Sequence, residues 1–314
     1  MSRDKLIALG AGLLSALFYL SVKMGSPGAI ILAYLSQLPL FVIGLSLGLT
    51  PTAIACLVAA ASIAASANFA AAGLFLAVTA GPVLLLVRQL LQSRPGSRTG
   101  SVEWYPPGLL LGALAGYGLV MLVVASLMLA GSEGGLLGVA RTYIDTALGT
   151  MAADNTDPRL EALIGSFVRY FPSVVITTWL LMVVANGVLA QGLLVQFKFN
   201  RRPSPKFAEL ELPAWLTVGL VVSAGISMVP GQIGMIGQNA LVILALPFFL
   251  LGLSVVHVFS HRFKARGFFL ATTYAMLLFV GLPAIFFVSG LGIIEQWVRL
   301  RQRFAVATGS KEDE

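Results

Sequence analysis

The 314-residue chain is too apolar to fold as a soluble protein, because 58% of its residues are hydrophobic and only 11% are charged. Soluble domains carry about 25% charged residues, so a bilayer must act as the solvent for this chain. The net charge of +7 comes from Lys and Arg between apolar runs, with no basic face interleaved with aromatic residues, which argues against nucleic acid as a partner. The single cysteine, Cys56, excludes a disulfide framework.

Nine apolar segments follow one another along the chain, each near the length of about 20 residues that crosses a bilayer. No Asp, Glu, Lys or Arg occurs between Ala29 and Val87, and turns at Thr50-Pro51 and near Asn68 divide that stretch into three helices. We therefore predict an all-α, polytopic transmembrane bundle of about eight or nine spans, forming one domain over residues 1–304, with a polar, disordered tail at 305–314. The predicted spans lie near residues 6–22, 29–48, 52–67, 70–88, 107–130, 172–197, 213–229, 235–258 and 267–291.

The basic residues predict an orientation, since Lys and Arg are enriched in cytoplasmic loops. Basic loops follow the fourth, sixth and eighth spans, which places these loops and the N-terminus on the cytoplasmic side of the membrane. The run Arg299, Arg301 and Arg303 after the ninth span conflicts with this orientation. Either the last segment folds back at Gly281-Leu282-Pro283, or one earlier span is miscounted, and both alternatives remain open.

The segment 132–170 is predicted to lie outside the membrane on the opposite side. Apolar residues at helical spacing predict two amphipathic helices at the membrane surface, with Asp157 as N-cap and Pro158 at the first position of the second helix. The pair either packs on the bundle or forms a lid over an outward-facing cavity. The residues that carry the periodicity are Leu136, Ala140, Tyr143, Ile144, Ala147 and Leu148 in the first helix, and Leu160, Leu163, Ile164, Phe167 and Phe171 in the second.

Two patterns resemble catalytic or metal-binding motifs, but neither has the context that such chemistry needs. Gly44-Leu-Ser46-Leu-Gly48 fits a nucleophile motif, yet it lies in an apolar helix rather than at a strand-to-helix turn. His257 and His261 share a helix face, but no third metal ligand is near them in sequence. We therefore predict no enzymatic activity, no metal and no cofactor, and the chain has no Walker A sequence with which to use ATP.

The polar residues inside the spans are neutral, and their amides need partners in a lipid environment. The partner is either another helix or a ligand. As ligand-binding residues we predict Asn186, Gln191, Gln238 and Asn239; Asn186 and Asn239 are the strongest candidates, because small residues flank them.

The second half of the chain carries a family resemblance. Leu212-Pro-Ala-Trp215 opens one span, the run from Leu246 to Val256 follows Asn239, and the run from Gly290 to Trp297 precedes arginines. These segments resemble the YybS-like family of uncharacterised bacterial multi-pass membrane proteins, which tends to have Gln at position 251 and Asp at position 295. The first half is similar in outline to the substrate-binding membrane subunits of energy-coupling-factor transporters, a likeness that implies separate ATPase and coupling subunits as partners.

Two functions remain in balance. The first is a small-molecule-binding or transport-related membrane subunit without its own energy source. The second is a structural or assembly protein that binds other membrane proteins through its Gly-, Ala- and Ser-rich faces. In either case the lipid bilayer is the first partner.

Overall fold

The computed structural model describes residues 3–96, 101–149 and 158–301. These residues form helices and one small antiparallel hairpin, in which β1 (Ser93–Pro95) pairs with β2 (Val102–Trp104). Asp157, Arg303 and the tail 305–314 lie outside the described residues. In chain order the helices are α1 Arg3–Leu20, α2 Pro27–Tyr34, α3 Leu38–Leu47, α4 Leu49–Ser66, α5 Phe69–Phe75, α6 Gly81–Leu90, α7 Pro107–Met128, α8 Gly135–Leu148, α9 Pro158–Gln196, α10 Ala214–Ser227, α11 Gln232–Ser260, α12 Arg266–Phe279 and α13 Leu282–Val298.

The prediction of an all-α membrane bundle is confirmed. Within the described ranges, seven helical segments are long and apolar enough to cross a membrane, and α10, α12 and α13 are shorter apolar helices of 10–17 residues. Three of the seven are composite: the 3₁₀ turn Ser21–Met24 extends α1, and the short segments Leu35–Gln37 and Leu76–Ala80 join α2 to α3 and α5 to α6. The seven are Arg3–Met24, Pro27–Leu47, Leu49–Ser66, Phe69–Leu90, Pro107–Met128, Glu161–Gln196 and Gln232–Ser260.

The breaks between the early helices fall close to their predicted places. Asn68 caps α5, and its Oδ1 accepts a hydrogen bond from the Ala71 N–H at 2.8 Å. The predicted turn at Thr50-Pro51 lies instead at Gly48, whose φ of 104° ends α3. Pro51 falls in the first turn of α4, where a proline removes no hydrogen bond that the helix needs.

The helices form two compact units, of which the first comprises residues 1–106 and 179–205. In this unit α1 packs on α4 through small residues. A side chain at Gly12 would meet the Ala55 carbonyl oxygen at 2.5 Å, and Ala55, Cys56 and Ala59 are all buried. The Ala-rich helix thus makes the close helix contact that its composition predicts.

The second unit comprises residues 107–178 and 206–314 and is built around α11. Helices α7, α10 and α13 all contact α11. The core of this unit contains Ala115, Leu210, Leu212, Leu216, Leu244, Phe248 and Leu251. Helix α11 therefore lies at the centre of the apolar core of the second unit.

The predicted amphipathic pair at 132–170 is present in a modified form. The first member is α8, whose Ala140 and Ile144 pack on Ile164 and Val168. The second is not a separate helix, because it is the first part of α9, which continues for 39 residues through Pro172. A helix of this length measures about 58 Å, far more than the bilayer core of about 30 Å, so one part of α9 is free to extend beyond the core and carry α8.

The last apolar segment folds back at Gly281, as in the first of the two alternatives left open by the sequence; the second also has support, because α10, within the seventh predicted span, is not among the seven candidate spans. The Nη1 of Arg301 donates to Ser254 Oγ at 3.0 Å, so the chain after α13 has returned to the end of α11 from which α12 departs. Helix α12 has 14 residues, about 21 Å at 1.5 Å per residue, which is shorter than the bilayer core of about 30 Å, as is α10 with the same number of residues. Together α12 and α13 form a re-entrant hairpin that turns at Gly281, where φ is 69°.

Candidate functional site

A cavity of about 510 Å³ lies in the second unit where four helical segments meet. This volume falls within the range of about 300–1,000 Å³ that is usual for small-molecule sites. Its walls come from the end of α7, the start of α8, the early part of α9 and the start of α11. The lining residues are Ser126, Ala130, Gly134, Gly135, Leu136, Leu137, Gly165, Val168, Arg169, Gly231, Gln232, Met235 and Ile236.

Arg169 supplies the positive charge in this cavity. Its Nε donates a hydrogen bond to Gln238 Oε1 at 2.5 Å, and Gln238 Nε2 in turn donates to the Ser227 carbonyl at 3.3 Å. Gln238 is neutral, so it orients the guanidinium without cancelling its charge. Arg169 is exposed, so the hydrogen bond to Gln238, rather than burial, holds the guanidinium at the cavity.

Two helices begin at the wall of the same cavity. Helix α8 starts after Gly134 and α11 starts after Gly231, and neither start has a side-chain cap. The first N–H groups of a helix have no acceptor inside the helix, and the helix dipole adds about half a positive charge there. Gly134, Gly135 and Gly231 have φ values of 68°, 61° and 80°, a region that glycine adopts without strain. The cavity is therefore lined by two electropositive helix ends and one guanidinium.

Asn239, one of the predicted ligand residues, is fully buried beside Pro172 of α9. Its Oδ1 accepts from the Ser173 N–H at 2.9 Å, and its Nδ2 donates to the Arg169 carbonyl at 3.1 Å and the Met235 carbonyl at 2.9 Å. Ser173 and Arg169 are the donor and acceptor that a regular helix would pair with each other, next to a proline that has no N–H. The amide thus supplies partners to the backbone groups beside Pro172 and fixes the backbone of Arg169.

We expect Asn239→Leu to lower the free energy of unfolding by about 1–3 kcal/mol for each buried backbone group left without a partner. The loss should be smaller in a Pro172→Ala background, because an uninterrupted helix can pair its own N–H and carbonyl groups. Thermal and denaturant unfolding of the two single variants and the double variant would measure this coupling. Equal losses in both backgrounds would contradict the bridging role.

Asn186 and Gln191, the other predicted ligand residues, lie in the first unit and bond to backbone carbonyls. Asn186 Nδ2 donates to the Tyr34 and Met182 carbonyls, each at 2.9 Å. Gln191 Nε2 donates to the Arg202 carbonyl at 2.9 Å. None of the four predicted amides lines the cavity around Arg169. Gln238 bonds to the Arg169 side chain and Asn239 to its backbone carbonyl. A ligand role for the four amides stays a prediction.

A π-helical turn in the first unit gathers further polar groups. The Val78 carbonyl, inside Leu76–Ala80, accepts from Trp179 Nε1 at 2.8 Å and from Gln37 Nε2 at 3.3 Å. A wider helical turn exposes a carbonyl to neighbouring helices. Trp179 belongs to α9 and Gln37 to the turn between α2 and α3, so both elements are hydrogen-bonded to the same carbonyl in the first unit.

Ser46 and His257, from the two motif-like patterns, form hydrogen bonds with groups on their own helix or on the next one. Ser46 Oγ donates to the Val42 carbonyl one helical turn earlier, at 2.6 Å. His257 Nδ1 lies 2.9 Å from the Leu253 carbonyl, and its Nε2 lies 3.4 Å from the Tyr274 hydroxyl. Among the residues that the structure describes, no cluster of three or more His, Cys, Asp or Glu side chains could hold a metal ion.

Sequence reasoning missed Arg169 and the three glycines around it. Signals for them exist in the sequence, because Gly134-Gly135 and Pro230-Gly231 each precede an apolar run, and Arg169 interrupts a row of apolar and aromatic residues. What the sequence does not give is their convergence, since Arg169 and Gln238 are 69 positions apart.

Comparison with known proteins gives one match. A family model described as "Predicted membrane protein (DUF2232)" matches residues 12–295. No curated protein and no solved structure matches the chain. The resemblance to the YybS-like family and the likeness to energy-coupling-factor subunits therefore stay predictions.

Proposed function

The chain belongs to the DUF2232 family of predicted membrane proteins, and we propose that it is a membrane subunit that binds a small anionic solute in the cavity around Arg169. One observation carries the proposal: a guanidinium and two helix starts without side-chain caps line a single cavity of about 510 Å³. The solute class that fits has a carboxylate or phosphate group at one end and an apolar body against Leu136, Leu137 and Ile236.

Carboxylate and phosphate groups match this lining in charge and in geometry. A guanidinium presents a planar fork of donors that binds either group through two parallel hydrogen bonds. Helix starts add backbone N–H groups and a favourable dipole. Since Gln238 already holds one edge of Arg169, the guanidinium loses little freedom when an anion binds, which favours affinity.

Binding without chemical conversion follows from the groups at hand. The lining offers donors and apolar surface, with no carboxylate, thiol or imidazole that could act as a base or nucleophile. If the subunit takes part in transport, the work must come from a partner, since the sequence has no Walker A motif. A separate ATP-hydrolysing subunit is the partner that this proposal implies, and the inner membrane of a bacterial cell is its place.

The test combines native mass spectrometry with ligand-induced thermal stabilisation in detergent at low salt. The protein is purified gently and weighed without added ligand, then melted with phosphate, succinate or, as a cationic control, tetramethylammonium. We expect a bound small anion and an increase in melting temperature with the anions alone. Arg169→Gln should abolish that increase, whereas Arg88→Gln, the same charge change at an exposed position outside the cavity, should retain it.

A second pair of variants tests the cavity without touching charge. A Cβ added at Gly165, which lines the cavity, or at Gly192, on the same helix but outside it, would meet no atom within 4 Å. Gly165→Leu should therefore fold and lose anion binding, while Gly192→Leu should fold and bind. Unchanged binding in Gly165→Leu and Arg169→Gln, or a co-purified protein with no small anion, would overturn the proposal, and the second result would favour an assembly role.

A further inference from the structure

A second cavity, here named the hairpin slot, lies between α11 and the re-entrant hairpin of α12 and α13. Its volume is about 460 Å³. The lining is almost entirely apolar and aromatic, with Lys264 as its one charged residue and Thr272 and Thr273 as its hydroxyl groups. The other lining residues are Val256, Phe263, Ala265, Phe268, Phe269, Met276, Leu277, Ala284, Phe287 and Val288.

The slot extends along the hairpin rather than across it. Phe263 and Lys264 lie where the chain enters α12, whereas Met276 and Ala284 lie next to the turn at Gly281. Helix α12 has 14 residues, about 21 Å at 1.5 Å per residue, so it is longer than one leaflet, about 15 Å, and shorter than the whole bilayer core of about 30 Å. The slot is thus elongated along α12, which is the shape that a lipid acyl chain requires.

The entrance of the slot is basic and bears the marks of a membrane interface. Both ends of the hairpin lie at the same end of α11, so Arg262, Lys264, Arg266 and Arg299 gather there. Trp297, 71% exposed at the end of α13, is of the residue type that is enriched at headgroup depth. Over residues 260–301 the sequence has one acid, Glu295, which is paired with Arg301 at 2.7 Å.

We propose that the hairpin slot holds one acyl chain of an anionic phospholipid, whose phosphate binds Lys264 at the slot entrance. The apolar walls select an acyl chain, and the basic rim selects a negatively charged headgroup. Each Lys or Arg near a membrane surface attracts anionic lipid measurably, and here the basic residue lines the chain-binding cavity itself. Because none of the 14 residues of α12 is buried by the protein, a bound lipid would provide packing that α12 otherwise lacks.

Native mass spectrometry of the full chain tests the headgroup part of this proposal. Protein stripped with detergent is titrated with phosphatidylglycerol or with phosphatidylcholine of the same acyl chains. We expect one phosphatidylglycerol to remain bound at activation energies that remove phosphatidylcholine. Lys264→Gln should weaken that binding by about fivefold, and Lys5→Gln, an equal change of charge in the first unit, should not change it.

A bulky substitution tests the acyl-chain part. Thr273→Phe places a ring inside the slot, whereas Ala271→Phe adds the same ring to α12 at a position that does not line it. We expect the first variant to lose the tightly held lipid and the second to retain it, with circular dichroism showing that both are folded. Equal binding of the two lipids, or retention of phosphatidylglycerol by both Lys264→Gln and Thr273→Phe, would show ordinary annular lipid only and overturn the proposal.

Discussion

Glu295→Ala is expected to lower the free energy of unfolding by about 3–5 kcal/mol, the usual cost of leaving a buried charge without its partner. Glu295 is 3% exposed, and its Oε1 and Oε2 accept from the Nε and the backbone N–H of Arg301 at 2.7 and 3.2 Å. The same guanidinium donates to Ser254 Oγ and to the Leu210 carbonyl. Removing the carboxylate therefore leaves a positive charge in an apolar setting and loosens three segments of the second unit.

The exposed ion pair Arg94–Glu103 provides the control. It has nearly the same N–O distance, 2.8 Å, but its side chains are 81% and 44% exposed, so Glu103→Ala should cost about 0–1 kcal/mol. Denaturant titration of both variants in one detergent measures the difference. The double variant Glu295→Ala/Arg301→Met should recover part of the loss, because it removes the unpaired charge. A cost for Glu295→Ala no larger than that for Glu103→Ala would show that the buried pair adds nothing.

The helices of this chain could be predicted because each apolar run of sufficient length must satisfy its own backbone in lipid. Their breaks were harder to place, since a break depends on individual residues. The break at Asn68 was predicted correctly, because its side chain caps the next helix. The break at Gly48 was predicted three residues too late, at Pro51. A proline is tolerated in the first turn of a helix, so Pro51 lies inside α4 and does not mark the turn before it. Helix α9 was predicted to begin at Pro158, where it does begin, but it was divided at residue 172 for a third reason: it continues through Pro172 because Asn239, a distant residue, provides the missing partners.

The candidate site shows the same limit more sharply. Sequence patterns identified Gln238 and Asn239 as important amides but could not show that they support a neighbour instead of lining a cavity. The neighbour, Arg169, gains its setting only when α8, α9 and α11 come together. Likewise, the fold-back of the last apolar segment was one of two alternatives in the sequence, and the contact between Arg301 and Ser254 that accompanies it joins residues 47 positions apart. Long-range packing, which periodicity does not encode, decides each of these cases.

Gly292→Ala is the second substitution expected to have a large effect, because helices α11 and α13 cross at bare backbone. A side chain at Gly292 would lie 1.9 Å from the Phe248 carbonyl oxygen, and one at Gly252 would lie 1.9 Å from the Val288 carbonyl oxygen. Neither obstacle is a flexible side chain, so the helices must separate to admit a methyl group. We expect a loss of about 1–3 kcal/mol, typical of an overpacked interior, and a correspondingly lower melting temperature in detergent.

Gly290→Ala, two positions earlier on α13, makes the comparison stringent. A side chain there would meet no atom within 4 Å, so the variant gains the helix propensity of Ala, up to about 1 kcal/mol, without a clash. The two substitutions are chemically identical and lie on one helix, which removes composition and detergent effects from the difference between them. Melting temperatures that fall for Gly292→Ala and hold or rise for Gly290→Ala would locate the close crossing at Gly252 and Gly292. Equal temperatures would instead mean that α13 can shift away from α11 at no cost, and the re-entrant hairpin would then be only loosely attached to the second unit.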